Sequence, residues 1–341
     1  MTTNRKNAIK ILIKVILFLG IYVGVQKAIV FALLDDTRAI SRYMIHEIYT
    51  SEQNLDVLFC GASHCQLGIN PYEMDQYLDQ YSFNAASSAQ GLETTYAMIR
   101  EATAVHQVKR VVIDLDPEVV MRAQPNLESI YIVTDYMKHS PGKAYYLLNA
   151  TDFDYYFNSF MPLHKGRGYI KDPAAILELI RKKLTPGYLR YTESPYGGRG
   201  YIASEDVNVD PNWDQENIIL GSEIPQKQQK SISQIISFCE KKGIEVLFIN
   251  TPVTQLQLQH TEMYEEYDAA LRSFLAQYGA AYYDFNRADR EKMDLVSVEN
   301  YNDTSHLNIE GSAKFTHILA GLLTGETDPG ELWTEEYIPV Q

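Results

Sequence analysis

The sequence predicts a doubly wound α/β domain with a mainly parallel five-stranded sheet, preceded by one membrane-crossing helix. Three observations predict it. Five short apolar runs alternate with helical patterns along most of the chain. The runs are apolar throughout rather than at every second residue, which suits parallel strands covered on both faces. Near the N-terminus, residues 8–34 are mostly apolar, and about 20 such residues cross a bilayer.

The first element is "NRKNAIKILIKVILFLGIYVGVQKAIVFALLDD". Arg5, Lys6, Lys10 and Lys14 crowd its start, and Asp35 and Asp36 follow its end. The basic side stays in the cytoplasm, so the remainder is expected to be extracytoplasmic. No clear small-x-small cleavage site precedes Asp35, so residues 1–34 read as an uncleaved anchor rather than a signal peptide. An amphipathic or core helix is the alternative, and Lys27 is the residue a membrane span fits least well. Residues 35–54 read as a polar stalk or helix leading away from the membrane, residues 55–323 as the α/β domain, and residues 324–341 as an acidic surface tail.

Within the domain the strands are expected in "LDVLFCGAS", "YSFNAASSAQG", "VKRVVIDLDPEVV", "GIEVLFINTPV" and "GAAYYDFN". The helices are expected in "PYEMDQYLDQY", "GLETTYAMIREATAVHQ", "QQKSISQIISFCEKKG" and "YEEYDAALRSFLAQYG". The last two end on Lys/Gly or Gly, as helices often do. Strand–helix alternation of this kind builds a doubly wound sheet, and such sheets bind ligands beyond the carboxyl ends of their strands. Residues 121–222 break the rhythm and are rich in tyrosine, so they read as an insertion after the third strand.

Composition removes several function classes. The 341 residues carry 44 acidic and 30 basic side chains, a net charge of −14. A nucleic-acid partner would need a basic face. Cys60, Cys65 and Cys239 form no disulfide framework and no CxxC pair. His46, His106, His139, His164, His260 and His317 show no metal-ligand spacing. No metal and no cofactor is expected.

Two stretches carry chemistry. In "VLFCGASHCQLGINP" an apolar strand runs into Gly-Ala-Ser-His, which puts Ser63 at a strand end. Ser63 is either a helix cap or a nucleophile at the mouth of the sheet. In "YNDTSHLNIEGSAKF", Asp303 and His306 lie three apart, ahead of Gly311 and a last helix. That spacing is either a surface turn or a carboxylate orienting an imidazole and stabilising its charged form. A serine hydroxyl needs a base to become a nucleophile, so the two stretches make chemical sense together.

"GAS" after a strand and "DTSH" in the last loop resemble the SGNH/GDSL hydrolase superfamily over roughly residues 55–323 without the insertion. The resemblance implies a flavodoxin-like sheet, with Ser63 as nucleophile, His306 as general base and Asp303 as its orienter. It implies a backbone N–H donor to the oxyanion in "NAASSAQG", from Ser87 or Ser88, with Gly91 as the alternative. It places Asn250 of "INTPV" near the rim. The superfamily's third block supplies an asparagine amide; here the third strand ends "IDLDPEV". Asp114 or Asp116 falls there, where a carboxylate would repel an oxyanion. Either another group replaces the amide, or the acid is turned away, or the enzyme is slow on simple esters.

The anchor, Gly-x-Ser-His in place of Gly-Asp-Ser, and the insertion are similar to the membrane-tethered DltD-type and alginate-acetylation proteins. That similarity implies an acyl-bearing envelope polymer or glycan as substrate and a membrane-bound O-acyltransferase as partner. A carbohydrate deacetylase and an inactive scaffold are the rival expectations. His64 either lines the pocket and donates to substrate or caps and packs the helix; Cys65 is expected to pack beneath it. Arg199 of "YGGRGY" either pairs with a phosphate or carboxylate or sits among packed tyrosines.

Overall fold

The structure is a computed structural model that describes residues 3–37, 39–123, 127–138, 140–150, 170–188, 195–212 and 217–334. His139, His164 and the tyrosine-rich stretches 151–169 and 189–194 of the expected insertion lie outside the described residues. Two compact units make up the chain: Met1–Ala39 with Leu147–Glu193, and Ile40–Tyr146 with Ser194–Gln341.

In the first unit, α1 (Thr3–Leu33) is continuous. Arg5–Leu33 is long and apolar enough to cross a membrane or to act as a signal sequence, and its most apolar 18 residues have a mean hydropathy of 2.3 and none of them is buried. A helix at Pro173–Lys183 packs beside it. Lys183 Nζ donates to the Leu34 carbonyl at 2.6 Å and pairs with Asp36 at 3.2 Å. A cation beside the last carbonyls of a helix meets the negative end of its dipole.

The second unit holds the sheet. Its strands are β1 (Val57–Cys60), β2 (Ser82–Asn84), β3 (Arg110–Asp114), β4 (Glu245–Asn250) and β5 (Ala281–Asp284). They pair in parallel in the order β2-β1-β3-β4-β5. This is the flavodoxin-like doubly wound order, whose switch point lies between β1 and β3. All four residues of β1 are buried, as the unbroken apolar run predicts.

Side chains alternate across the strands, and each parity finds its own layer. Val57, Phe59, Val112, Leu247 and Ile249 enter one apolar cluster with Cys65, Met74, Phe315 and Leu319. That layer is built by α3 (Ser63–Gly68), α4 (Pro71–Leu78) and α8 (Ile309–Thr324), with α8 packed on α3 and α4. On the opposite parity, Leu58, Val111, Ile113 and Phe248 are fully buried. There α5 (Leu92–Val105) packs on β1, and α6 (Gln226–Lys242) packs on α5 and β4. The fourth expected helix is α7 (Tyr264–Ala276), against β5.

Three expectations change. The stalk is partly a helix of the domain: α2 (Ile40–Thr50) buries Met44, Ile45 and Ile48, which share one helical face. The acidic tail begins with packed structure. A short helix at Pro329–Leu332 seats Trp333, 4% exposed, whose Nε1–H donates to the Asp284 carbonyl at 2.9 Å. Part of the insertion covers the edge of the sheet: the Asn84 N–H at the edge of β2 donates to the Arg199 carbonyl at 2.9 Å, in the turn of a separate two-stranded hairpin, Tyr196–Gly198 with Tyr201–Ile202. A Cβ on Gly200, at φ +80°, would stand 1.6 Å from the Asn84 carbonyl oxygen, so only glycine fits where this turn covers the edge.

Candidate active site

Ser63 reaches the rim because β1 must stop abruptly. A Cβ on Gly61 would lie 2.7 Å from Asp114 Cβ and 3.0 Å from Cys65 Cβ, so the chain passes between β3 and α3 only as glycine. Ala62 is the extended N-cap, and its carbonyl accepts from Gln66 N at 3.1 Å. Ser63 is then the first residue of α3, half-buried, while His64, Cys65 and Leu67 turn inward.

The second part arrives from the loop between β5 and α8. Tyr301 and Leu307, both buried, form an antiparallel bridge, and Asn302 N donates to the His306 carbonyl at 2.8 Å. The bridge closes a turn whose tip carries the motif. Asp303 Oδ1 accepts from Ser305 N at 2.8 Å and His306 N at 3.0 Å, while Oδ2 accepts from Asn302 Nδ2 at 2.9 Å. Asn308 then caps α8 by accepting from Glu310 N and Gly311 N.

Ser63, His306 and Asp303 come together. His306 Nδ1 lies 2.9 and 3.0 Å from the two Asp303 carboxylate oxygens, and Nε2 lies 2.8 Å from Ser63 Oγ. Burial alone would raise the Asp303 carboxyl. The His306 hydrogen bond and charge, with the Ser305 N–H and Asn302 amide, outweigh burial and hold it well below the usual carboxylate range. A carboxylate only accepts, so Nδ1 carries the proton and Nε2 is left to accept from the serine hydroxyl. This arrangement can move a proton from Ser63 to His306 as the hydroxyl oxygen attacks an electrophile.

The two acids at the end of β3 are turned away from open space. Asp114 Oδ1 accepts from Thr251 N at 2.9 Å, which ties the loop after β4 to β3. Burial, then the neighbouring Asp116 charge, push Asp114 up to about 6 against the pull of His64. Asp116 caps the short helix Pro117–Val120 and meets His64 Nδ1 at 2.8 Å. Sequence reasoning placed both acids near the site but missed this pairing. Its only signal was Asp-Pro after a strand, the mark of a capped helix start.

The other sequence-expected site residues are placed differently. Ser87 is buried; its N–H donates to the Gly61 carbonyl at 3.3 Å and its Oγ to Gln90 Oε1 at 2.8 Å, so its N–H is already engaged. Ser88 is exposed on the turn after β2, and Gly91 is the N-cap of α5. Asn250 is buried, and its amide donates to Tyr264 OH at 2.8 Å, which donates to Asp284 Oδ2 at 2.8 Å. That chain joins the ends of β4 and β5 to the start of α7. Arg199 pairs with Asp75 and lies over the rings of Tyr72 and Tyr81 at 4.3 and 3.8 Å. It also donates to the Ser82 carbonyl, at the start of β2 and so at the opposite end of the strand from the rim. Cys65 is buried against the sheet, as expected of a packing residue. Among the described residues no cluster of three or more His, Cys, Asp or Glu side chains fits a metal ion.

A protein-family model matches residues 214–327, about a third of the chain, which includes Asp303 and His306 but not Ser63. No curated protein matches the sequence. Among solved structures, a "putative acylhydrolase" from Bacteroides fragilis NCTC 9343 is similar at 9% identity and a TM-score of 0.38, over 82% of this chain and 93% of that one. The chemistry of the site rests on its own side chains.

Proposed function

We propose that this chain is a membrane-anchored serine esterase or O-acyltransferase of the SGNH type. Ser63 attacks an ester carbonyl and becomes acylated. His306 takes the serine proton and returns it to the departing alcohol, and Asp303 holds the tautomer and stabilises the imidazolium. The Ser63 N–H, free of helical partners at the start of α3, is one donor to the oxyanion. A second oxygen nucleophile, water or a sugar hydroxyl, then accepts the acyl group by the same steps in reverse.

The observation that carries this reading is the 2.8 Å approach of His306 Nε2 to Ser63 Oγ, with both Asp303 oxygens within 3.0 Å of Nδ1. The finer assignments follow from chemistry and topology. A basic flank before α1 and Asp35 and Asp36 after it favour an extracytoplasmic domain. A half-buried nucleophile facing outward from a tethered domain suits ester groups on an envelope polysaccharide or teichoic-acid-type polymer, supplied or shared by a membrane-bound O-acyltransferase.

A fluorophosphonate probe tests the reaction on the detergent-solubilised full chain. Labelling of wild type and none of Ser63→Ala supports it; equal labelling of both, or none of a folded wild type, overturns it. Turnover of small aryl esters without a partner protein favours a plain deacetylase over a transferase.

A further inference from the structure

Beside Ser63 and His306 stands a second imidazole whose outer nitrogen has no task in the reaction above. His64 follows Ser63 on α3, is only 8% exposed, and binds Asp116 through Nδ1 at 2.8 Å. Its Nε2 is buried and meets no hydrogen-bond partner among the described residues. Its ring packs against the ring of His306, centroids 4.8 Å apart and planes 31° apart, so it borders the group that reaches Ser63. A buried polar nitrogen without a partner is costly, and in a folded protein it calls for a water or a ligand oxygen that completes it.

Asp116 determines what Nε2 is. Its Oδ1 accepts from Glu118 N at 2.8 Å and Val119 N at 3.4 Å, and its Oδ2 faces His64. The carboxylate only accepts, so Nδ1 of His64 is protonated. Burial would raise Asp116, but the His64 charge and hydrogen bond, with the two backbone donors, hold it below the usual carboxylate range. The reverse holds on the ring. Burial would lower His64, but the Asp116 charge and hydrogen bond, aided by Asp114 and Glu118, raise it to about 9. The acids facing it are therefore Asp116, Asp114 and Glu118 from the end of β3 and the turn after it, and the one other titratable ring against it is His306 from the loop before α8. Near neutral pH both nitrogens of His64 carry protons, and Nε2–H is a charged donor.

We propose that Nε2–H of His64 is a catalytic hydrogen-bond donor to the oxygen that becomes negative when Ser63 attacks an ester carbonyl. The inference rests on Ser63 being the nucleophile. In the step, the Oγ–C bond forms, the carbonyl π pair moves onto oxygen, and the serine proton passes to His306 Nε2. His64 transfers no proton; it shares its N–H with the new oxyanion until the pair returns and the alcohol leaves with the proton from His306. A charge-assisted donor holds an anion more strongly than a neutral amide. The carboxylate of Asp116 thus acts on the oxyanion through His64, by keeping that ring charged, rather than by repelling it. Each imidazole has its own carboxylate, Asp303 for His306 and Asp116 for His64, so both rings can be positive in the same transition state.

The test is the rate constant of fluorophosphonate labelling against pH, on the full-length protein, because the probe's phosphonyl oxygen gains charge as the ester oxygen does. Wild type is expected to slow as pH rises through about 9, where His64 loses its Nε2 proton. His64→Gln is expected to label about a hundredfold more slowly and to lack that alkaline fall. In Asp116→Asn the fall moves down by about one pH unit or more, because the ring has lost the charge that holds its proton. His64→Gln/Asp116→Asn removes the pair without stranding a buried charge and reproduces the single His64 variant, with folding of each checked by near-UV circular dichroism. A His64→Gln rate within about threefold of wild type, or profiles of the variants that parallel wild type, overturns the proposal while leaving Ser63 as nucleophile. Labelling of Ser63→Ala at the wild-type rate overturns the reading beneath it.

Discussion

Replacing Asp303 with asparagine tests the proton path at one atom. In the native site His306 Nδ1–H donates to a carboxylate that also receives three other donors, from Ser305 N, His306 N and Asn302 Nδ2. The asparagine oxygen can keep the two backbone bonds that form the turn. Its NH₂ then replaces Oδ2, and the imidazole relaxes to the tautomer with Nδ1 bare and Nε2 protonated. That nitrogen faces Ser63 Oγ across 2.8 Å and can no longer accept its proton. A wrong tautomer at unchanged geometry lowers turnover by about 10⁴-fold in serine hydrolases with this constellation. The assay is the rate constant of fluorophosphonate labelling near neutral pH, alongside the unfolding temperature. The expected result is a loss of about four orders of magnitude with little change in stability. A variant within about tenfold of wild type would show that Asp303 does not set the tautomer, and the reasoning from the Asp303–His306 contact would fail.

Packing within the domain sets other outcomes. Gly61→Ala places a Cβ 2.7 Å from Asp114 Cβ; a loss of about 1–3 kcal/mol in urea unfolding, with slower labelling because Ser63 shifts, is expected, and an unchanged midpoint would refute the packing argument. Arg199→Ala breaks a largely buried ion pair and two ring contacts, so stability should fall by about 3 kcal/mol while labelling per folded molecule stays at the wild-type rate; a selective loss of labelling would return Arg199 to the site. Burial first, then the Asp268 carboxyl, raise Asp284 to about 7 despite hydrogen bonds from Tyr264 and Asn286 N. The folded state therefore holds a proton that the unfolded chain releases near pH 3.9, so this group's contribution is full below about pH 4 and is lost as pH rises through 7. Urea midpoints at about pH 5 and pH 8 should converge in Asp284→Asn relative to wild type, and an identical slope in both proteins would exclude the linkage.

Much of this protein is written locally. Apolar runs such as Val57–Cys60 and residues 111–113 announce strands buried on both faces because no residue in them can turn to water without loss. Gly243 and Gly325 mark helix ends by their left-handed backbone. The apolar span from Arg5 to Leu33 is visible for the same reason: its character depends on composition, not on neighbours. Ser63, Asp303 and His306 were also legible, since a strand that stops on Gly-x-Ser and a three-residue Asp–His turn are local patterns. The folded backbone alone decided that they meet, because 243 residues separate Ser63 from His306 and only the parallel order of β1, β3 and β5 with the bridge at Tyr301 and Leu307 brings them within 2.8 Å. Tertiary contacts also sent Arg199 to Asp75, Asn250 to Tyr264 and the Ser87 N–H to Gly61. A polar side chain near a strand end has several partners within reach, and the one it takes depends on which elements the sheet has already drawn alongside. For the same reason the sequence named His64 and Asp116 but did not pair them: the helix that carries one and the turn that carries the other become neighbours only when β1 and β3 lie side by side.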